Sequence, residues 1–583
     1  MKAFLTLKDF FSKHKWNYIF GVVWLLIIDS VQLLVPQIYR GLTNDFDNNL
    51  LDNKGISKYV FLIVLTGVVI GVGRYFWRIY ILGTSRELEY HLRKIIFNHL
   101  LTLSPNYYNT HKTGDLMAHA TNDVNAVRMA IGQGTIMIVD SGFMIILSLI
   151  MMIKTTNIKL TAIALFTLPF IIIVVSRFGK IIHNRFKIVQ ESFSNLTDTT
   201  QESFSGIRVV KSFVQEELTL NKFTEVNKDN LKKNLDLVLV SGTFHPFIQF
   251  ISSISFLLVI LYGGKEVILN KISLGDFIAF NFYLGLLIWP MMALGWVINV
   301  LQRGAASMDR INSILDEKPD ITNISNPKEL KEIRGKVQFK NVSFKYPGSE
   351  AYALKDISFT IEQGKSLAIV GRTGSGKTTI VNLFLRLYDI EEGKILFDNI
   401  DIKTLSLKSL RENIGYVPQD NFLFSTSIEE NIGFGFDEPI PLNKIENAAN
   451  LAEVYDNIME FPHKFQTILG ERGVTLSGGQ KQRTSIARAI VKKPAILILD
   501  DSLSSVDTET EEKILKNLNS IMNSRTTIII SHRISTVKDC DEIIFLDNGK
   551  IIERGTHEEL LTTNGMYKDL YEKQLLEEKI TNI

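Results

Sequence analysis

Six long apolar segments constrain this chain more than any other feature, because each must be covered by lipid or by protein. They run approximately over residues 18–35, 59–82, 131–153, 158–176, 244–269 and 277–300. A helix needs roughly 20 apolar residues to cross the hydrocarbon core of a bilayer. Six such runs are too many and too long for buried helices of a soluble domain. Lys2, Lys8, Lys13 and Lys15 precede the first run. That run is longer than the h-region of a signal peptide and no small-x-small cleavage site follows, so it reads as an uncleaved span.

Orientation follows from the flanking charges. The first loop carries Asp45, Asp47 and Asp52 and reads as external. The stretch between the second and third spans holds Arg86, Arg93, Lys94, Lys112 and Arg128. The stretch between the fourth and fifth holds Arg177, Lys180, Arg185, Lys187, Arg208, Lys211, Lys222, Lys228, Lys232 and Lys233. Both read as cytoplasmic, which puts both termini inside a multi-pass protein of the cell membrane. The two stretches alternate charged and apolar residues and read as helices continuing beyond the bilayer. Each is interrupted once, near Ser104, Pro105 and Asn106 (then Lys112 to Asp115), and near Phe204, Ser205 and Gly206.

Ionisable residues within spans are costly and usually face a bundle interior. Asp29, Arg74 and Asp140 are such residues, and His245 lies near a span edge. Two readings of Arg74 stand: a pair with Asp140 facing a polar cavity, or a side chain snorkelling to the inner interface. Phe244, Phe247, Phe250, Phe256, Phe280, Phe282, Trp289 and Trp296 crowd the last two spans. They either line an apolar substrate cavity or pack helices and face lipid.

At 583 residues the chain exceeds one hydrophobic core. A mean hydropathy of +0.12 beside 22% charged residues implies that apolar and charged stretches are segregated. The net charge of +2 argues against a nucleic-acid partner. Cys540 is the sole cysteine, which excludes an internal disulfide framework and a cysteine metal site. The expected organisation is an all-α transmembrane domain over 1–310, a polar linker over 311–334 and an α/β phosphate-loop domain over 335–583.

The chemistry concentrates in the second half. Gly371, Arg372, Thr373, Gly374, Ser375, Gly376, Lys377 and Thr378 fit the phosphate-loop pattern G-x-x-x-x-G-K-[ST], with Thr379 following. An apolar strand-like run at 367–370 precedes them and a helix-like segment at 379–387 follows. Glycines let backbone N–H groups close round a phosphate. Lys377 is placed for β- and γ-phosphates and the Thr378 hydroxyl for Mg²⁺. Asp500 closes the apolar run 495–499, where a carboxylate beside a phosphate loop suits Mg²⁺ held through water. Ser477, Gly478, Gly479 and Gln480 open an amphipathic helix, a second anion-binding start. Two such sites suggest a nucleotide held between two copies of the domain.

Together these motifs resemble an ATP-binding-cassette exporter half-transporter, in which six spans precede one cassette. The resemblance covers almost the whole chain, and its motifs stand in the family's order. It implies ATP and Mg²⁺ as ligands, with Tyr346 stacking on adenine and Gln419 reaching Mg²⁺. It implies that the segment of Glu471, Arg472 and Gly473 meets helical turns of the membrane domain. It also implies that Asp507 makes a contact across the dimer and that His532 contacts the γ-phosphate. The two interruptions resemble the family's coupling helices. One position departs from the family: the residue after Asp500 is usually a glutamate that serves as general base, and here it is Asp501. About 1 Å of misplacement costs roughly 100-fold in rate, so this loop's own site is expected to hydrolyse poorly. The signature at 477–480 is intact and can complete a site on another chain. This asymmetry resembles the degenerate-site subunit of heterodimeric bacterial multidrug exporters, with a second half-transporter as partner and a drug-like or lipid amphiphile as substrate. The alternatives are a homodimeric exporter of lipid or peptide, a nucleotide-gated channel or regulatory subunit, and a soluble cassette ATPase, which the six spans disfavour.

Overall fold

A computed structural model describes residues 2–330, 333–503, 508–522 and 525–581. The chain divides into two units, Met1–Leu101 with Thr113–Glu317, and Thr102–Lys112 with Lys318–Ile583. Its first half is helical: α1 (Ala3–Asp47), α2 (Asn53–Leu100), the short α3 (Pro105–Thr110), α4 (Thr113–Thr155), α5 (Ile158–Ser205), the short α6 (Ile207–Ser212), α7 (Glu216–Ile268) and α8 (Leu274–Leu315). The six long helices have 42 to 53 residues and are each apolar enough to cross a membrane. At 1.5 Å per residue they exceed about 60 Å, twice the hydrocarbon thickness, so each must extend well outside it. Their bounds enclose five of the six apolar runs, and the fifth run ends at Leu269, one residue past α7. Asp45 and Asp47 prolong α1 rather than lying in a loop. Asp52 caps α2 by accepting from the Gly55 N–H at 2.6 Å.

The centre of the membrane unit is built on α4, α7 and α8, where Met144, Met152, Ile248, Ile251, Val259, Phe280, Tyr283 and Leu287 are buried together. Tyr283 donates from its hydroxyl to the Leu33 carbonyl at 3.0 Å, and Gln37 donates to that hydroxyl at 2.9 Å. Farther along, Arg310 on α8 grips the Asp123 carboxylate on α4, which also accepts from Ser307 at 2.9 Å. Glu89 on α2 gathers Arg86, Arg93 and Arg128. These networks satisfy buried carboxylates that would otherwise be costly.

The expected Arg74–Asp140 pair is not formed: among the described residues no ion pair joins them within 4 Å. Instead the Asp140 carboxyl on α4 meets that of Asp29 on α1, and Asp29 is only 2% exposed. Arg74 is solvent- or lipid-facing on α2 and lines an open groove with Tyr75 and Arg78. Arg74 is exposed on α2 and its charge reaches Asp140 only at a distance, while Asp29 on the neighbouring α1 makes the direct contact. The aromatic residues of α7 and α8 divide likewise. Phe280 is fully buried, whereas Phe247, Phe250, Phe282, Trp289 and Trp296 are exposed in the single chain.

The second unit is an α/β domain with two sheets. Strands β1 (Val337–Phe344), β2 (Leu354–Ile361), β3 (Ser366–Gly371), β4 (Glu392–Phe397), β5 (Ile400–Asp401), β6 (Ile414–Val417), β7 (Ile496–Asp500), β8 (Thr526–Ile530), β9 (Glu542–Asp547) and β10 (Lys550–Gly555) alternate with helices. An antiparallel sheet has the order β2-β1-β4-β5, and a six-stranded sheet has the order β10-β9-β3-β8-β7-β6. In the latter, β6, β7, β8, β3 and β9 run parallel. Parallel strands are covered on both faces, so their side chains split between two cores. Ala368, Val370, Leu497 and Leu499 enter one, while Leu367, Ile369, Ile496 and Ile498 enter the other. The carboxyl ends of β3, β7 and β8 therefore emerge side by side, and the motifs sit there.

α3 belongs to this second unit. Asn109 donates to the Tyr388 hydroxyl at 2.8 Å, and Ser104 donates to Asp320 at 2.7 Å. Pro105 at the first turn explains why the long helix stops and restarts here. The second interruption, α6, lies in the membrane unit between exposed Phe204, Phe213 and Val214.

Cys540 gives a direct check on the second core. It is buried against Ser366, and burial pushes its thiol up to about 12. Maleimide labelling near neutral pH is expected to be roughly 1,000-fold slower in the folded protein than after denaturation, because the thiolate is the reacting form. Comparable rates in the two states would place Cys540 at the surface.

Candidate nucleotide-binding site

β3 is buried along its whole length and ends at Gly371. The chain then turns through Gly374 (φ +80°) and Gly376 (φ +102°) before α9 (Lys377–Phe384) begins. A side chain at Gly376 would put its Cβ 2.7 Å from the Ala353 carbonyl oxygen, so both conformation and space require glycine there. This turn aims successive N–H groups and the start of α9 at one point, an arrangement suited to a phosphate. Arg372, Thr373 and Gly374 are exposed on the loop, whereas Ser375, Lys377 and Thr379 are buried.

Lys377 lies across the loop and donates from Nζ to the carbonyls of Gly371 at 2.8 Å and Arg372 at 2.9 Å. Burial pulls its ammonium below the ordinary lysine range, against the opposite pull of Asp500 and Asp501. Asp500, at the end of β7, is 1% exposed and its Oδ2 has no hydrogen-bond partner. Burial raises its carboxyl above the usual range, while the Thr378 hydroxyl and Lys377 oppose that shift. A buried carboxylate oxygen left free beside a hydroxyl is a hard-oxygen pair that fits Mg²⁺. Among the described residues no group of three His, Cys, Asp or Glu side chains could hold a metal alone. Such an ion would therefore need phosphate oxygens as well, as Mg²⁺ commonly does.

Asp501 follows with φ +45°, its N–H donating to the Ile530 carbonyl at 2.8 Å. This left-handed turn swings its carboxylate away from the strand direction. Gln419, just past β6, donates to Asp501 Oδ2 at 3.5 Å, a long bond. His532, just past β8, feels both Lys377 and Asp501. Burial first, then Lys377, lowers its pKa, and Asp501 opposes them. Gln419, Lys377, Asp500, Asp501 and His532 thus come together from four strand ends that are distant in sequence.

Tyr346 is half-buried beside the loop. Its hydroxyl is 3.0 Å from that of Thr379, and its ring meets Tyr388 edge-on at 5.2 Å. Ser477 caps α10 (Gly478–Val491) in a reciprocal box: its hydroxyl accepts from Gln480 N–H at 3.3 Å, and Gln480 Oε1 accepts from Ser477 N–H at 2.9 Å. Ser477 and Gly478 are exposed, and among the described residues no hydrogen bond or charge contact joins the 477–480 segment to the 371–379 loop. Arg472 and Gly473 form a left-handed turn. Asp507 lies outside the described residues.

Two features of the unit left no mark in the motifs. Arg488 on α10 donates to the Asn431 and Phe422 carbonyls and lies against Phe424 and Phe434. Asn109 reaches Tyr388, and the break at Pro105 was its only signal.

These observations define a class: a multi-pass membrane protein carrying a phosphate-loop nucleotide-binding domain on the same chain. Residues 18–291 match the ABC transporter transmembrane region and residues 354–504 match the ABC transporter domain. The chain belongs to the ABC transporter family, as an ATP-driven transporter of the exporter type that works as a dimer in the membrane. It is 40% identical to "Probable multidrug resistance ABC transporter ATP-binding/permease protein YheI" of Bacillus subtilis, over 97% of each chain. It is 39% identical to "Multidrug resistance-like ATP-binding protein MdlA" of Escherichia coli, over 99% of this chain and 97% of that one. It is 34% identical to an ATP-dependent lipid A-core flippase of Aromatoleum aromaticum, over 91% and 87%. A solved bacterial Atm1-family ABC exporter with ATP bound aligns with a TM-score of 0.78 and 26% identity, over 96% of this chain and 98% of that one.

Proposed function

We propose that this chain is one half of a heterodimeric exporter that moves hydrophobic or amphiphilic compounds out of the cell, and that its own phosphate loop serves a hydrolytically weak site. The observation that carries this reading is Asp501, beside the otherwise complete set of Lys377, Thr378, Asp500, Gln419 and His532. The cassette and both termini lie in the cytoplasm, in keeping with the basic flanks of the spans.

In this reading the 371–379 loop and Tyr346 hold one nucleotide. The backbone N–H groups and Lys377 orient its β- and γ-phosphates, and His532 donates to the γ-phosphate from a neutral ring. Thr378, Gln419 and Asp500 would hold Mg²⁺, which supplies charge neutralisation for phosphoryl transfer. Asp501 accepts the proton of the attacking water, from a position one methylene short. The signature at 477–480 faces the nucleotide of the partner chain, with Asp507 at the contact between cassettes. Binding closes the two cassettes, and α3 and α6 carry that motion to the spans. The names of the relatives, multidrug and lipid A-core transporters, support an amphiphilic cargo. The exposed aromatic residues of α7 and α8 give that cargo an apolar surface.

The test is uptake of a fluorescent amphiphilic cation into inside-out membrane vesicles. ATP-dependent uptake that a non-hydrolysable analogue does not support is expected. A passive conductance opened equally by the analogue would overturn the exporter reading in favour of a gated channel.

A further inference from the structure

His532 stands on a short irregular segment after β8, and the position of its ring depends on what holds that backbone. Two groups from distant helices do so. On one side Glu511, in α11 (Thr508–Met522) and only 3% exposed, accepts from Arg533 Nη1 and from the Thr536 hydroxyl, both at 2.5 Å. On the other side stands Gln574, in α12 (Met566–Thr581). Its Oε1 accepts from the Ile534 N–H at 2.9 Å and its Nε2 donates to the His532 carbonyl at 2.5 Å.

This second contact has a specific chemical requirement. The segment offers one acceptor and one donor, and only a carboxamide presents a matching donor and acceptor on one planar group. Glutamate can accept from Ile534 but cannot donate to the His532 carbonyl, and a hydrocarbon side chain does neither. Gln574 is also well anchored. The first turn of α12 is held by Glu553, which accepts from Tyr567 N–H at 3.1 Å and from Met566 N–H. Tyr567 is fully buried and bonded to His557 at 2.7 Å. Gln574 lies seven residues on, about two turns, and so on the same face of α12 as Tyr567.

We propose that Gln574 is a positioning residue for nucleotide recognition: its carboxamide clamps the backbone directly after His532, from the His532 carbonyl to the Ile534 N–H, and so holds the imidazole where it meets the terminal phosphate. The clamp makes the C-terminal helix part of the site through the backbone that follows His532. The inference rests on the reading of His532 given above.

The test measures the preference for ATP over ADP at this chain's own site, in the full complex purified from membranes. Photolabelling by an azido-ATP is competed by each nucleotide in turn and scored on this chain alone. The ratio cancels contacts to adenine, ribose and the inner phosphates, so a merely structural loss does not move it. His532→Ala is expected to lower the preference roughly 10-fold, the worth of one hydrogen bond to a charged group. Gln574→Met keeps the length and helix propensity of the side chain and is expected to lower it about five-fold. Gln574→Glu should do the same, which keeps the test open if one variant folds poorly. The double variant of His532→Ala with Gln574→Met should match His532→Ala within about two-fold, because one residue acts through the other. An unchanged preference in both Gln574 variants, with His532→Ala impaired, would overturn the clamp alone, as would full additivity in the double variant. An unchanged preference in His532→Ala would overturn the reading of His532 itself, and the clamp with it.

Discussion

Asp501→Glu raises ATP hydrolysis at the 371–379 loop of this chain by one to two orders of magnitude when that site is the only one turning over. The reason is reach. Asp501 is fixed at its backbone by the Ile530 carbonyl and by a left-handed φ of +45°. Its carboxylate therefore cannot approach the reacting phosphate by backbone movement without losing that anchor. Its contact to Gln419 is already long at 3.5 Å. One added methylene extends the carboxylate by more than about 1 Å, and a misplacement of that size costs roughly 100-fold. Lys377 and His532 remain beside it, so the charge environment is retained. The measurement is single-site turnover in proteoliposomes whose other site has been silenced, with Asp501→Asn as the floor. An unchanged rate in Asp501→Glu would mean that side-chain reach is not what limits this site.

Gly478→Asp abolishes most hydrolysis of the whole transporter, a fall of at least about 100-fold, whereas Lys377→Ala leaves it within about three-fold of the unaltered protein. The first substitution adds a carboxylate at the start of α10, where the helix dipole and free N–H groups attract an anion. A negative charge there is favourable to the helix, so the signature stays folded. It repels the nucleotide that the signature must meet. Gly478 is exposed in the single chain, open to a partner. In the proposed heterodimer the second substitution disarms only the weak site. Steady-state hydrolysis of the two variants, at saturating ATP, reads the asymmetry directly. Equal collapse of both would indicate two equivalent sites.

Much of this arrangement was legible in the sequence, for identifiable reasons. The six spans were visible because lipid imposes length and apolarity on every turn, and the six long helices enclose them to within one residue. The phosphate loop was visible because Gly374 and Gly376 occupy backbone conformations that side chains disfavour. The convergence of Gln419, Asp500 and His532 was expected from resemblance, and parallel strand order explains it: β6, β7 and β8 are neighbours. Other features depend on rotations and distances that no local pattern encodes. That Asp29 rather than Arg74 makes the direct contact to Asp140 is set by how α1, α2 and α4 pack. Gln574 reaches His532 across 42 residues of chain. The capping box at Ser477 was within reach of the sequence, since Ser followed three residues later by Gln is its signature.

The most direct test of the heterodimer is the mass of the intact complex, recovered from native membranes through a tag on this chain. The expected result is a one-to-one complex with a different cassette chain that carries glutamate where this chain has Asp501. A complex of two copies of this chain alone would contradict it, and Asp501 would then have to support all the hydrolysis that drives transport.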